Sequence, residues 1–184
     1  MSGAEDAALR DASADAVLIC HLLAVDPVGL GGVALVGSPG PGRDAFLTCF
    51  KSLIGSTKPF VTVPAHVSAD RLEGGLDLAA TLAAGKPISA QGLINAAQGG
   101  VMQLLTAERW SLEKAARIAM AMDHASPLGF GVIACDESLS DDEALPKCLA
   151  ERLAFRINPD QGMALLHAGD GFDCLLYTSD AADE

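Results

Sequence analysis

The chain has 184 residues, half of them hydrophobic, with aromatics at only 4% and a formal net charge of −12. That length can bury a full core in one domain, built mainly from Ala, Leu, Val and Ile, and the lack of a basic patch argues against nucleic-acid binding while leaving acidic surface for a basic partner protein. No apolar run approaches the ~20 residues of a membrane span, and the acidic, Ala-rich residues 1–15 do not read as a signal peptide, so the cytoplasm is the default expectation.

Ala4 to Ala14 reads as a polar lead-in, and Asp15 to Val25 as a short helix with an Asp cap and Pro27 beyond its end. Gly32 to Val36 is a short apolar strand. A Gly/Pro-rich turn follows, and a helix is expected from Asp44 to Ile54, stopping at Gly55. Phe60 to Val63 is a β-branched strand ended by Pro64. Asp70 to Gln98 reads as an insertion, with helical spacing over Leu76 to Leu82 and a stop at Gly85. Val101 to Thr106 is a mostly apolar strand. Ser111 to Met122 is a helix with a Ser cap. Phe130 to Cys135 is another apolar run, Asp141 to Leu149 a short helix interrupted by Pro146, and Ala154 to Ile157 a last strand. Alternating helices and continuously apolar strands predict an α/β fold, a parallel sheet covered on both faces.

The turn after the first strand carries the chemistry. Gly37-Ser-Pro-Gly40-Pro-Gly42-Arg43-Asp44 has the frame of the phosphate-binding P-loop, G-x-x-x-x-G-K-[ST]. Arg43 stands in the Lys slot and Asp44 in the Ser/Thr slot, so the ammonium for the β/γ-phosphates and the hydroxyl for Mg²⁺ are both replaced. An anion at the helix start opposes the phosphates, and Pro39 and Pro41 remove two N–H donors from the cradle. Gly37, Gly40, Gly42 and Arg43 are the weak candidate nucleotide-binding residues, and an ordinary strand–helix turn is the competing reading. The five cysteines are scattered with no ligand spacing and read as reduced, mostly buried thiols. The four histidines are equally dispersed, so no metal site is expected.

Three stretches carry a resemblance: Ala24-Val-Asp-Pro-Val-Gly-Leu-Gly-Gly32, Asp70-Arg-Leu-Glu-Gly-Gly-Leu-Asp-Leu-Ala-Ala-Thr-Leu-Ala-Ala-Gly85 and Leu149-Ala-Glu-Arg152-Leu-Ala-Phe155. With the degenerate P-loop, residues from about Asp26 to Asn158 resemble the N-terminal AAA+ ATPase-like domain of the magnesium chelatase D subunit family. The resemblance implies a P-loop NTPase (AAA+-like) core over residues 26–172 after a helical lead-in over 1–25. It also implies that the family's helical lid, acidic linker and C-terminal domain are missing here. Residues 173–184 do not continue the family pattern and read as a non-native tail.

The same resemblance implies a subunit that does not hydrolyse ATP itself. It would partner the active I subunit, in a hetero-oligomeric ring, and the H subunit in ATP-dependent insertion of Mg²⁺ into protoporphyrin IX for (bacterio)chlorophyll biosynthesis. ATP and Mg²⁺ would then belong to the complex. In that register the strand that should end in Asp-Glu ends in Leu104-Leu105-Thr106, so the metal-binding acid and the base are missing. Arg152 falls where the family's arginine finger lies, a residue acting in trans on a neighbour's transferred phosphate. Its plain alternative is an ion pair with Glu151 or another surface acid. Arg71 reads as a surface charge, and Arg43 as a phosphate contact or a partner of Asp44.

A second register competes. Phe130-Gly-Val-Ile-Ala-Cys-Asp136-Glu137 is itself an apolar strand ending in Asp-Glu, which would make the chain a self-sufficient P-loop NTPase using Arg43 with Asp136 and Glu137. The bland reading of those two acids is a solvated turn continued by Asp141, Asp142 and Glu143. A plain α/β binding module with no nucleotide role is the third possibility.

Overall fold

The computed structural model describes residues 15–75, 78–86, 90–124, 128–138 and 143–162. The lead-in over Ala4 to Ala14, Leu76 and Asp77 of the insertion, the acids Asp141 and Asp142, and the tail over 173–184 lie outside the described residues.

Helix α1 covers 15–25 as the sequence predicts. Strand β1 (Gly32–Val36) leads into α2 (Pro41–Ile54) and β2 (Phe60–Val63). The insertion folds as three short helices, α3 (Ala69–Glu73), α4 (Leu78–Ala84) and α5 (Leu93–Ala96). Strand β3 (Val101–Leu104), a 3₁₀ turn (Ala107–Arg109), α6 (Leu112–Asp123), β4 (Gly131–Asp136), α7 (Lys147–Ala150), β5 (Phe155–Ile157) and α8 (Pro159–Gly162) follow. The five strands form one parallel sheet in the order β2-β3-β4-β1-β5.

The strands read as continuously apolar because both faces are covered. Val33, Leu35 and Ile133 point into a layer with Ile19, Cys20 and Leu23 of α1 and Phe46 and Phe50 of α2. Ala34, Met102, Val132 and Ala134 point the other way, against Ala115, Ile118 and Ala119 of α6, Trp110, and Leu149 of α7. Phe46 and Phe50 are fully buried one helical turn apart, each worth about 1.5–3 kcal/mol relative to exposure. Ser111 caps α6 by accepting from the Lys114 N–H at 3.4 Å, as its sequence position suggests.

Three expectations need correction. Helix α2 begins at Pro41, not Asp44, because Gly40 supplies the N-cap and Pro tolerates the first helical position, where an N–H would lack a partner anyway. Asp44 is therefore an exposed residue on the first turn and not the group at the helix mouth. Strand β3 stops at Leu104: Thr106 takes a left-handed backbone (φ 45°) and the chain turns into the 3₁₀ segment, where the Trp110 indole donates back to the Leu105 carbonyl at 3.1 Å. The helix expected over Asp141 to Leu149 is confined, within the described residues, to Lys147–Ala150, entered through Pro146. Among the described residues no helix is long and apolar enough to cross a membrane.

Candidate functional site

The C-terminal ends of β1 and β4 lie side by side, with Val36 opposite Asp136, and the Gly37 N–H donates to the Asp136 carbonyl at 3.0 Å. The loop from Gly37 to Gly40 and the pair Asp136-Glu137 are therefore direct neighbours. The strand order places β4 between β1 and β3.

Arg43, on the first turn of α2, is 5% exposed. Its Nη1 donates to Glu137 Oε1 at 2.7 Å and its Nη2 donates to the Gly37 carbonyl. Its Nε is buried without a partner. The guanidinium is thus folded back onto its own loop, and its counter-ion is Glu137, not Asp44. Gly42 N–H, the first donor of α2 because Pro41 has none, is taken by Asp160 Oδ1 at 2.8 Å.

The two acids at the end of β4 are not a solvated turn. Asp136 is fully buried; its Oδ1 accepts from Ser138 N–H at 3.1 Å, and Oδ2 has no hydrogen-bond partner, with Arg156 Nη2 at 3.7 Å. The Glu137 side chain is 27% exposed. Sequence reasoning also missed Glu108. The 3₁₀ turn after β3 carries its carboxylate, 3% exposed, back to the strand ends, where Oε2 accepts from Glu137 N–H at 2.9 Å and Oε1 pairs with Arg109 at 3.4 Å. A carboxylate does reach this edge, but it is committed to backbone and cation.

These residues do not fit a bound nucleotide with its Mg²⁺. The cation of the Lys slot is turned onto Glu137 and Gly37, the first helical N–H holds a carboxylate, and the Ser/Thr slot is an exposed Asp. Among the described residues no group of three or more His, Cys, Asp or Glu side chains could hold a metal ion. Cys20, Cys49, Cys135 and Cys148 are free thiols, the first three buried.

Arg152 lies at the other end of the sheet. It follows α7, just before β5, and its carbonyl packs so close to Gly31, at the start of β1, that a Cβ there would fall 1.9 Å from it. Its guanidinium grips Asp123 at the end of α6 with two donors, Nε at 2.8 Å, while Nη1 donates to the Cys148 carbonyl at 2.6 Å. The hydrogen bonds from Arg152 hold the Asp123 carboxyl below the usual carboxylate range and push the guanidinium up. Its partner is Asp123 rather than Glu151. A strand of five residues, about 16 Å long, separates this end of β1 from the loop, so Arg152 cannot serve the loop of its own chain. Arg71 is an exposed charge, as expected.

No protein-family model matches the chain. It is 38% identical over 144 residues to the magnesium-chelatase 60 kDa subunit of Rhodobacter capsulatus, a match covering 74% of the chain and 23% of that subunit. The chain is homologous to one segment of the magnesium-chelatase 60 kDa and 67 kDa subunits. A second relative, the 67 kDa subunit of Chlorobaculum parvum, is 42% identical over 81 residues, 44% of the chain and 13% of the relative. The chain thus spans about a quarter or less of the relatives it matches.

The fold matches solved ones. A structure of the complex between subunits BchI and BchD of magnesium chelatase has a chain that superposes with a TM-score of 0.58 at 20% identity, over 79% of this chain and 59% of that one. NtrX from Brucella abortus superposes at 0.53 and 12% identity, over 77% and 36%. The architecture is that of AAA+-like P-loop ATPases, a parallel five-stranded sheet flanked by helices.

Proposed function

We propose that this chain is the ATPase-like part of a magnesium-chelatase subunit that does not hydrolyse ATP itself. It acts as a ring partner of an active ATPase subunit in ATP-dependent insertion of Mg²⁺, the substrate ion, into protoporphyrin IX. The enzyme assignment rests on the identity to the 60 kDa and 67 kDa subunits. The role rests on one observation: Arg43 is buried against Glu137 and the Gly37 carbonyl, so the only cation in the P-loop frame is already neutralised. ATP and Mg²⁺ then bind at the active partner, and the H subunit supplies the porphyrin site. The likeness to a chain of the BchI–BchD complex supports the pairing with an I-type subunit.

Arg152 is the residue proposed to act in trans. Its place at the sheet end opposite the loop supports service to a neighbour's site, and engagement requires it to leave Asp123. The test is the ATPase rate of the matching I-type subunit, alone, with this chain, and with its Arg152→Ala and Asp123→Asn variants. A rate change with the wild-type chain that Arg152→Ala abolishes and Asp123→Asn retains is the expected result. ATP turnover by the isolated chain would sink the non-hydrolysing role, and an unchanged effect of Arg152→Ala would remove the finger.

A further inference from the structure

The mismatch between the loop and a nucleotide has a built-in cause. Helix α2 is 14 residues long, its N-cap Gly40 offers no side-chain acceptor, and Pro41 has no N–H. The partial positive charge of the helix mouth is therefore left for an acceptor from elsewhere. That acceptor is the carboxylate of Asp160, 118 residues away in sequence, bonded to Gly42 N–H at 2.8 Å.

The whole segment Asn158–Asp160 lies along the loop. A Cβ added at Gly37 would meet the Asn158 side chain at 3.4–3.6 Å. One at Gly40 would lie 2.7 Å from Asp160 Oδ2, and one at Gly42 2.4 Å from the Pro159 carbonyl. Asn158 Oδ1 in turn accepts from Asp160 N–H at 3.1 Å, and Pro159 is buried. The glycines that read as a phosphate cradle admit instead the chain's own strap. The loop's cation is occupied from within in the same way: Arg43, 95% buried, donates to Glu137 and to the Gly37 carbonyl, so neither the helix mouth nor the guanidinium is left facing an outside anion.

We infer that Asp160 is an internal substitute for a phosphate group, an anionic plug that keeps nucleotide polyphosphates off the α2 N-terminus. The inference deepens the reading that this chain does not hydrolyse ATP, and it adds a specific claim: loss of the carboxylate opens the loop to polyphosphate. The plug and the buried Arg43–Glu137 pair act at the two ends of one cradle, so the loop is closed by internal charges of both signs.

The test uses the full 184-residue chain and a fluorescent mant-ATP probe, with inorganic pyrophosphate as competitor. The variants are Asp160→Ala and Asp160→Asn, with Glu151→Gln as control. Glu151 is an exposed carboxylate beside Arg152 at the opposite end of the sheet, so the control makes the same change of net charge far from Gly42. Affinity for mant-ATP is expected to rise at least about tenfold in Asp160→Ala, the factor equivalent to about 1.4 kcal/mol. Pyrophosphate should displace the probe, Asp160→Asn should show a smaller gain, and Glu151→Gln none. If Asp160→Ala does not fold, Asp160→Asn carries the comparison. A folded Asp160 variant with unchanged affinity overturns the plug, as does an equal gain in Glu151→Gln. ATP turnover by the wild-type chain would overturn the non-hydrolysing role instead, while the affinity series would still decide the plug.

Discussion

The Arg43–Glu137 pair should show an unequal response to truncation of its two partners. The side chains are 6% and 27% exposed and meet at 2.7 Å. Replacing Glu137 by Met leaves the buried guanidinium with only the Gly37 carbonyl for company. Breaking a fully buried pair costs about 3–5 kcal/mol; the partial exposure of Glu137 and the surviving carbonyl contact bring the expected cost to about 2–3 kcal/mol. Replacing Arg43 by Met leaves a carboxylate that already touches water and refills the buried volume with an apolar chain, so about 1 kcal/mol is expected. The double replacement should come back to within about 1 kcal/mol of wild type, since no uncompensated buried charge remains. Urea unfolding followed by circular dichroism at constant pH gives the three values, with unchanged slopes marking a change in stability alone. The midpoint of thermal unfolding should fall by about 5–10 °C for Glu137→Met. Equal costs for the two single variants, or a larger one for Arg43→Met, would refute the assignment of Arg43 as the more deeply buried partner.

Restoring Lys at position 43 and Ser at position 44 together should not create ATP turnover, because β3 ends without an acid and Glu108 is held by Glu137 N–H; phosphate release from that double variant would mean the register is wrong. Gly32→Ala should cost about 3 kcal/mol or more, since its Cβ would lie 1.8 Å from the Val132 carbonyl in the neighbouring strand, where backbone meets backbone; near-wild-type stability on thermal melting would contradict the β1–β4 register. Phe46→Ala should lose about 3–5 kcal/mol of unfolding free energy from the fully buried α1–α2 layer, read by the same urea titration. Because Arg152 depresses the carboxyl of Asp123, the unfolded state binds the extra proton, and the pair's contribution is present above the unfolded carboxylate value of about 4 and lost as pH falls through the lower folded value. The stability gap between wild type and Asp123→Asn should therefore close on acidification below about pH 4, and a gap that widens there would reverse the sign of the linkage.

Much of the scaffold is legible because its local signals agree. Val33, Ala34 and Leu35 form an unbroken apolar run only because one of them faces α6 while the other two face α1 and α2, and Ser111 announces its helix by capping it. The start of α2 is misread for a local reason: Pro-Gly-Pro-Gly looks like loop, yet Gly40 and Pro41 are a serviceable cap and first residue. The site is harder to read because its contacts are remote in sequence. Glu137 is 94 residues from Arg43, and Asp160 lies 118 from Gly42. Nothing in either segment marks the other until β4 and β5 are placed on the two sides of β1. The burial of Asp136 follows from that same placement: a residue that continues an acidic run in the sequence is covered once its strand becomes central.

The strand order also sets a timetable for synthesis. β1 is paired on one side with β4 and on the other with β5, and about 95 residues separate the end of β1 from the start of β4. At a ribosomal pace of about 5–20 residues per second, roughly 5–20 s pass between the emergence of β1 and that of its first partner strand. During this interval Val33, Leu35, Phe46 and Phe50 have only α1 to pack with, while both hydrogen-bonding edges of β1 and the part of the layer that Ile133 fills stay open. Closure of loops this long also slows folding intrinsically. The nascent chain therefore offers a holding chaperone an apolar strand–helix unit until Gly131–Asp136 clears the exit tunnel and inserts beside β1.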